Sequence, residues 1–167
     1  MSVIVNNSIT LDGFISGLNH YEDWISGADQ SYFEQACADA DIIIMGSATF
    51  DSNDDLYPIP DKENIVFAQN ANERKLTAGI TFTNQDPVNF VREHSDKKLL
   101  VAGGGKLNAT LLKSGVVTDI VVCIHPVILG SGVRQFEGIN MSTETRLTKV
   151  SEEDIGDGVI KIHYRVN

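Results

Sequence analysis

The chain has 167 residues, 42% of them hydrophobic and 22% charged, which suits one compact domain spanning residues 1–167. Its 13 Lys and Arg stand against 23 Asp and Glu, for a net charge of -10. A field of that sign repels phosphate backbones and anionic lipid, so no nucleic-acid or membrane partner is expected. No apolar run reaches the length of a membrane span, and Met1-Ser2-Val3-Ile4-Val5 reads as a strand rather than a signal segment, so the expected location is cytoplasmic.

Val3 to Ile9 reads as the first strand. Thr10 to Ala28, rich in Gly, Asp, Asn and Ser, reads as a long ordered loop packed by Phe14, Ile15, Tyr21, Trp24 and Ile25. Asp29 to Ala40 is a helix, with Tyr32, Phe33, Ala36, Cys37 and Ala40 at helical spacing and Ser31-x-x-Glu34 as a capping box. Asp41 to Met45 is apolar after its first residue, as in a strand buried on both faces. Asn64 to Ala68 and a weaker Ile80 to Thr83 are the next strands. Asp86-Pro87 opens a helix that ends near His94, with a cap residue followed by proline at the first helical position.

Lys98 to Ala102 is a strand that runs into Gly103-Gly104-Gly105 and a helix holding Leu107, Leu111 and Leu112, closed by Gly115. Asp119 to Pro126 is another strand. Thr145 to Val150 and Val159 to Val166 alternate apolar and polar residues around Asp157-Gly158 and read as an antiparallel hairpin. The sum is an α/β domain of about eight strands and three or four helices. The cysteines, Cys37 and Cys123, lie in apolar patterns without metal-ligand spacing and read as buried small hydrophobes. The four histidines form no metal-binding cluster, so no metal is expected.

Four segments are candidates to carry chemistry, each also readable as a plain turn or cap. Gly103-Gly104-Gly105 lets backbone approach a ligand, and the helix start at Lys106 and Leu107 offers unpaired N–H groups suited to a diphosphate. The run is neither G-x-G-x-x-G, because position 108 is Asn108, nor a Walker A loop. Met45-Gly46-Ser47-Ala48-Thr49 follows a second buried strand, with Gly46 allowing close approach and Ser47 and Thr49 offering hydroxyls. Ligands of open α/β sheets sit outside the carboxyl ends of strands, where both glycine turns fall. Asp12-Gly13 ends the first strand, either as a turn pair or as a carboxylate at the mouth of the sheet. His125-Pro126-Val127-Ile128-Leu129-Gly130-Ser131-Gly132 is an apolar loop, a turn or the floor of a ring pocket.

In series these segments resemble the reductase domain of riboflavin biosynthesis, the RibD C-terminal domain family, within the dihydrofolate-reductase-like superfamily. Its Ser-x-Asp-Gly opening is matched by Ser8 or Thr10 with Asp12 and Gly13, and its Met-Gly-x-x-Thr motif by Met45, Gly46 and Thr49. Gly103 and Gly104 match its Gly-Gly loop, and Pro126, Leu129, Gly130, Gly132 and Phe136 match its proline-to-phenylalanine segment. The resemblance implies a mixed, mostly parallel sheet with flanking helices. It implies an NADPH-dependent reductase, like the phosphoribosylamino-uracil reductase of riboflavin biosynthesis, that passes hydride to a small pteridine- or pyrimidine-like substrate. Gly46, Ser47, Thr49, Ala68 and Gly103 to Leu107 would hold the cofactor. Asp12 would be catalytic and would anchor substrate beside Leu129 and Gly130. The family's modules are often dimers, so a homodimer through the C-terminal hairpin is the expected assembly.

This chain departs from the pattern at the adenosine 2′-phosphate. Ser47 stands where the family commonly has Arg, and Ala68-Gln69-Asn70 where it has Ser or Ser-Arg. NADH is therefore an alternative cofactor. The competing function is a non-catalytic nucleotide- or small-ligand-binding protein on the same fold.

Overall fold

Six apolar segments lie side by side and parallel. The computed structural model describes residues 1–167. Its strands are β1 (Ser2–Thr10), β2 (Phe14–Ser16), β3 (Ile42–Gly46), β4 (Glu63–Phe67), β5 (Ile80–Thr83), β6 (Lys98–Gly103), β7 (Asp119–His125), β8 (Val133–Arg134), β9 (Leu147–Asp154) and β10 (Ile160–Val166). The helices are α1 (Gly27–Ala38), α2 (Ser47–Ser52), α3 (Pro87–Glu93) and α4 (Gly105–Lys113). The main sheet has eight strands in the order β5-β4-β3-β6-β1-β7-β10-β9, and β2 pairs with β8 in a separate two-stranded sheet. β10 and β9 join antiparallel; the other six strands run parallel. This is the α/β, dihydrofolate-reductase-like architecture expected from the motifs.

The continuous apolar runs are explained by layers on both faces of the sheet. On one face Val3, Val5, Ile42, Ile44, Leu99 and Val101 pack against Phe90 and Val91 of α3 and Leu107, Leu111 and Leu112 of α4. On the other, Ile43, Met45, Val66 and Leu100 pack against Cys37 of α1 and Phe50 of α2. Each fully buried aliphatic side chain contributes roughly 1.5–3 kcal/mol of transfer free energy, so these two layers fix the sheet.

Three expectations need correction. The Thr10–Ala28 segment is not one loop: it contains β2, a 3-10 turn at Leu18–His20, and the start of α1. α1 begins at Gly27, because the Ser26 hydroxyl accepts the Asp29 N–H at 3.2 Å and caps the helix two residues before the expected start. Ser31 and Glu34 lie inside the helix and form no capping box. The outer hairpin strand runs Leu147–Asp154, and every one of its residues is exposed, so its apolar and polar positions do not mark an inner and outer face. α3 begins as expected, with Asp86 accepting the Asn89 N–H at 2.9 Å. The glycine turn ends α4 at Gly115, φ +73.

Candidate active site

β3 and β6 are hydrogen-bonded neighbours, and they send the chain to opposite faces of the sheet. After β3 it enters α2, whose Phe50 joins one core; after β6 it enters α4, whose Leu107 joins the other. A crevice opens where neighbouring strands diverge in this way. The register slips by one residue there: Ile44 faces Val101 but Met45 faces Gly103, leaving Ala102 as a bulge. Gly103 has φ +119, a conformation that only glycine adopts readily. A Cβ on Gly46 would sit 3.7 Å from the Gly104 nitrogen, and one on Gly104 would sit 3.0 Å from Thr49 Oγ1. Gly46, Thr49, Gly103 and Gly104 therefore meet at one point. Gly104 caps α4 with no side-chain bond, so the helix's first N–H groups have no side-chain acceptor there.

The crevice widens into a cleft of about 720 Å³ on the α1 face. Asn6, Asn7 and Ser8 of β1 all line it; Asn7 does so beside Gly103, with its Oδ1 accepting the Asn108 Nδ2 amide of α4 at 2.7 Å, while Val3 and Val5 are buried in the core. The floor is Asp29, only 2% exposed. Ser8 Oγ donates to Asp29 Oδ2 at 2.5 Å. His125 Nε2 lies 3.5 Å from the same oxygen. That approach is not an ion pair. The Ser26 N–H donates to His125 Nε2 at 3.2 Å, so that nitrogen presents a lone pair, and Nδ1 carries the proton toward the Cys123 carbonyl at 3.2 Å. Trp24 packs edge-on against His125, with ring centroids 5.0 Å apart. Burial pushes the thiols of Cys37 and Cys123 up, Cys37 to about 12, so both behave as inert core residues. Glu22, at the mouth, has its carboxyl raised by burial, with the Asn53 side chain pulling the other way.

Asp29 was not among the residues singled out from the sequence. An acidic residue in the first turn of a helix reads as ordinary dipole compensation. Yet it shares the face of Phe33, Ala36, Cys37 and Ala40 at spacings of four, seven, eight and eleven. A carboxylate on an apolar helix face was the available signal.

The other candidate residues scatter. Ser47 begins α2 at the crevice. Gly105 is buried against the 134–137 turn: a Cβ there would overlap the Arg134 carbonyl oxygen and lie 2.8 Å from Glu137 Cβ. Packing, and not ligand approach, requires its glycine. Leu107 places its side chain in the core, and Lys106 is exposed on the outer side of α4. Ala68 is buried, and its N–H is taken by the Thr83 carbonyl. Its position leaves no backbone donor for a cofactor. Arg74, four positions beyond Asn70, is engaged by both oxygens of Asp51 at 2.5 and 2.9 Å.

Asp12 does not line the cleft. Its Oδ1 accepts the Thr10 hydroxyl at 2.6 Å and the Leu129 N–H at 3.2 Å; its Oδ2 accepts the Gly130 N–H at 2.8 Å. Leu129 and Gly130 are thus partners of Asp12 in a loop clasp. The Thr10 hydroxyl, with the Gly130 and Leu129 N–H groups, holds the Asp12 carboxyl below its ordinary value. A depressed value means that the clasp is intact above the ordinary carboxylate range and loosens as pH falls through the folded-state value. Asp12→Ala is expected to speed amide exchange at Leu129 and Gly130 by about tenfold at neutral pH, read by hydrogen-exchange NMR. Unchanged protection at both amides defeats the clasp.

The description "RibD C-terminal domain" belongs to the family model that matches residues 1–161. The Bacillus subtilis (strain 168) protein YyaP is 28% identical over 182 residues, covering 99% of this chain and 95% of its own. The Thermotoga maritima diaminohydroxyphosphoribosylaminopyrimidine deaminase/5-amino-6-(5-phosphoribosylamino)uracil reductase superposes with a TM-score of 0.80 at 17% identity, over 99% of this chain and 56% of that one. Enterococcus faecalis dihydrofolate reductase, solved with NADP(H), superposes with a TM-score of 0.74 at 15% identity, over 99% and 96% of the two chains. The structural likenesses show a shared fold, and the family match over nearly the whole length shows that the chain belongs to the RibD C-terminal domain family.

Proposed function

We propose that the protein is an NAD(P)H-dependent reductase of a small nitrogen heterocycle. The observation that carries this reading is the meeting of two glycine strand ends, Gly46 and Gly103-Gly104, at the edge of a cleft floored by a buried carboxylate. The backbone there fits a dinucleotide: the glycines keep the approach free of Cβ atoms, and the start of α4 offers N–H donors to its diphosphate. Gly46, Thr49, Gly103 and Gly104 would hold it. A bound nicotinamide supplies the hydride.

The chain's own residues do the rest. Asp29 accepts an N–H of the substrate ring and fixes its orientation. Ser8 holds the Asp29 side chain in place from β1. Ile15, Phe33 and Tyr57 wall the cleft and thin its water. The Thermotoga maritima deaminase/reductase and the Enterococcus faecalis dihydrofolate reductase share the fold, which supports the same class of chemistry. The bidentate Asp51 grip on Arg74 removes that guanidinium as a 2′-phosphate partner, so NADH and NADPH are expected to bind with similar strength. The proposal includes a homodimer, since β9 ends the sheet as an exposed eight-residue edge. Sedimentation at native concentration tests it, and a monomer rejects it.

Titration with NADH and NADPH, followed by Trp24 and nicotinamide fluorescence, is expected to give saturable binding in the micromolar range. Gly104→Ala, which pushes a methyl against Thr49 Oγ1, is expected to weaken it at least tenfold, about 1.4 kcal/mol. Absence of binding for both dinucleotides removes the reductase reading and leaves a ligand-binding protein on this fold.

A further inference from the structure

The groups that line the cleft carry one sign of charge. Glu22 and Asp23 come from the loop before α1, Asp29 and Glu34 from α1, and Asp55 from the segment after α2. No Lys or Arg lines the cleft, and His20 is its only basic side chain. The chain as a whole is at -10, so no distant cation field offsets them. Asp29 and Glu34 stand on α1, whose Cys37 packs on one face of the sheet, whereas Leu107, Leu111 and Leu112 of α4 pack on the other. The cleft reaches the dinucleotide turn at Thr49 and Gly103, and a diphosphate there would be served by the backbone donors at the start of α4.

A second, independent feature points to what the cleft takes. Asn6 is 3% exposed and lines the cleft, and its Nδ2 has no hydrogen-bond partner. A buried amide donor without an acceptor costs roughly the desolvation of that group, unless a ligand supplies the acceptor. Asn6 and Ser8 project from the same face of β1, and Ser8 is bonded to Asp29. The cleft thus offers, side by side, a carboxylate for ring or amino N–H groups and an amide for a ring nitrogen or carbonyl.

We propose that the substrate is an unphosphorylated, amino-bearing nitrogen heterocycle, neutral or cationic, and that the acidic lining rejects phosphorylated ones. This rests on the reductase reading for its chemistry, though its recognition argument stands on the cleft alone. A phosphoribosyl tail entering such a cleft would meet Glu22, Glu34 and Asp55 with no Lys or Arg to receive it. The selectivity comes from rejection as much as from attraction.

The test uses the full chain with saturating NADPH and three probes: ortho-aminopyridine, uridine and uridine monophosphate. Calorimetry and Trp24 fluorescence report binding. Ortho-aminopyridine is expected to bind saturably at up to millimolar concentration and to lose at least tenfold in Asp29→Asn. Uridine monophosphate is expected to bind at least tenfold more weakly than uridine. That gap is expected to shrink in the Glu22→Gln, Glu34→Gln, Asp55→Asn triple variant and at high salt. These rim changes lie on or near the surface, and the melting temperature confirms that the variant is folded. Uridine monophosphate binding as tightly as uridine to the native chain overturns the proposal, as does no binding of ortho-aminopyridine. A chain that prefers the unphosphorylated probes but binds no dinucleotide defeats the reductase reading alone. A chain that binds dinucleotide and prefers the phosphorylated probe defeats this proposal alone.

Discussion

Asp29→Asn is expected to slow dinucleotide oxidation at least a hundredfold with any heterocycle that the native protein reduces, while leaving dinucleotide affinity within about twofold. The size follows from what a positioned carboxylate contributes to proton handling and orientation, typically two to four orders of magnitude in rate. The direction follows from geometry. Asp29 is the ionisable group at the floor of the cleft, and its Oδ2 already receives the Ser8 hydroxyl at 2.5 Å. An amide keeps that acceptor through its oxygen but replaces the other with a donor. A substrate N–H then faces an N–H. The variant should remain folded, since Asn matches Asp in volume. A melting temperature within about 4 °C of the native value, roughly 1 kcal/mol for a chain of this size, establishes that. The dinucleotide site lies at the glycine turns, so its affinity serves as the internal control. Activity within tenfold of native in a folded Asp29→Asn protein removes Asp29 from the chemistry. The counterpart at Asp12 sharpens the comparison, because its carboxylate is spent on Thr10, Leu129 and Gly130. Asp12→Ala is expected to change loop protection far more than turnover.

What the sequence disclosed depended on how local the cause was. β3 was legible because Ile42 to Met45 are buried without interruption and can only be a strand covered on both faces. α3 was legible because Asp86 and Pro87 carry its start signal within two residues. The meeting of Gly46 with Gly103 and Gly104 followed from two glycines at the ends of buried parallel strands. By contrast, β2 is three residues long and β8 two, and each exists only because the other pairs with it across more than a hundred positions. No pattern in so short a run carries that information. The clasp that engages Asp12 is invisible locally, because its partners, Leu129 and Gly130, lie 117 and 118 positions away. Asp29 was passed over because a first-turn acid has a common and sufficient local explanation. The cleft itself is a long-range object, assembled from β1, α1, α2 and β6.

The three successive glycines show how one run can serve two purposes, and the stability of Gly105→Ala separates them. A methyl at 105 overlaps the Arg134 carbonyl oxygen and lies 2.8 Å from Glu137 Cβ and 3.1 Å from Glu137 N. Two of those three atoms are backbone, so no rotamer change relieves the clash. The 134–137 turn must lift off α4, which also strains the Glu137 N–H bond to the Gly105 carbonyl, 3.1 Å in the native chain. Lifting it disturbs Arg134, whose guanidinium lies 4.8 Å from the Phe14 ring centroid, and with it the β2–β8 pairing. Overpacking of this kind costs about 3 kcal/mol or more, a fall in melting temperature of roughly 6–12 °C for a chain of this length. Gly27→Ala is the matched control: nothing lies within 4 Å of its added Cβ, and its backbone is not left-handed, so its melting temperature should hold or rise slightly. Gly104→Ala should show the opposite profile to Gly105→Ala. Its methyl meets only Thr49 Oγ1, the end of a side chain that can turn away, so the fold tolerates it while the dinucleotide does not. Were Gly105→Ala to melt with the native protein and lose dinucleotide binding instead, residue 105 would belong to the ligand site, and the division of the run between packing and recognition would be wrong.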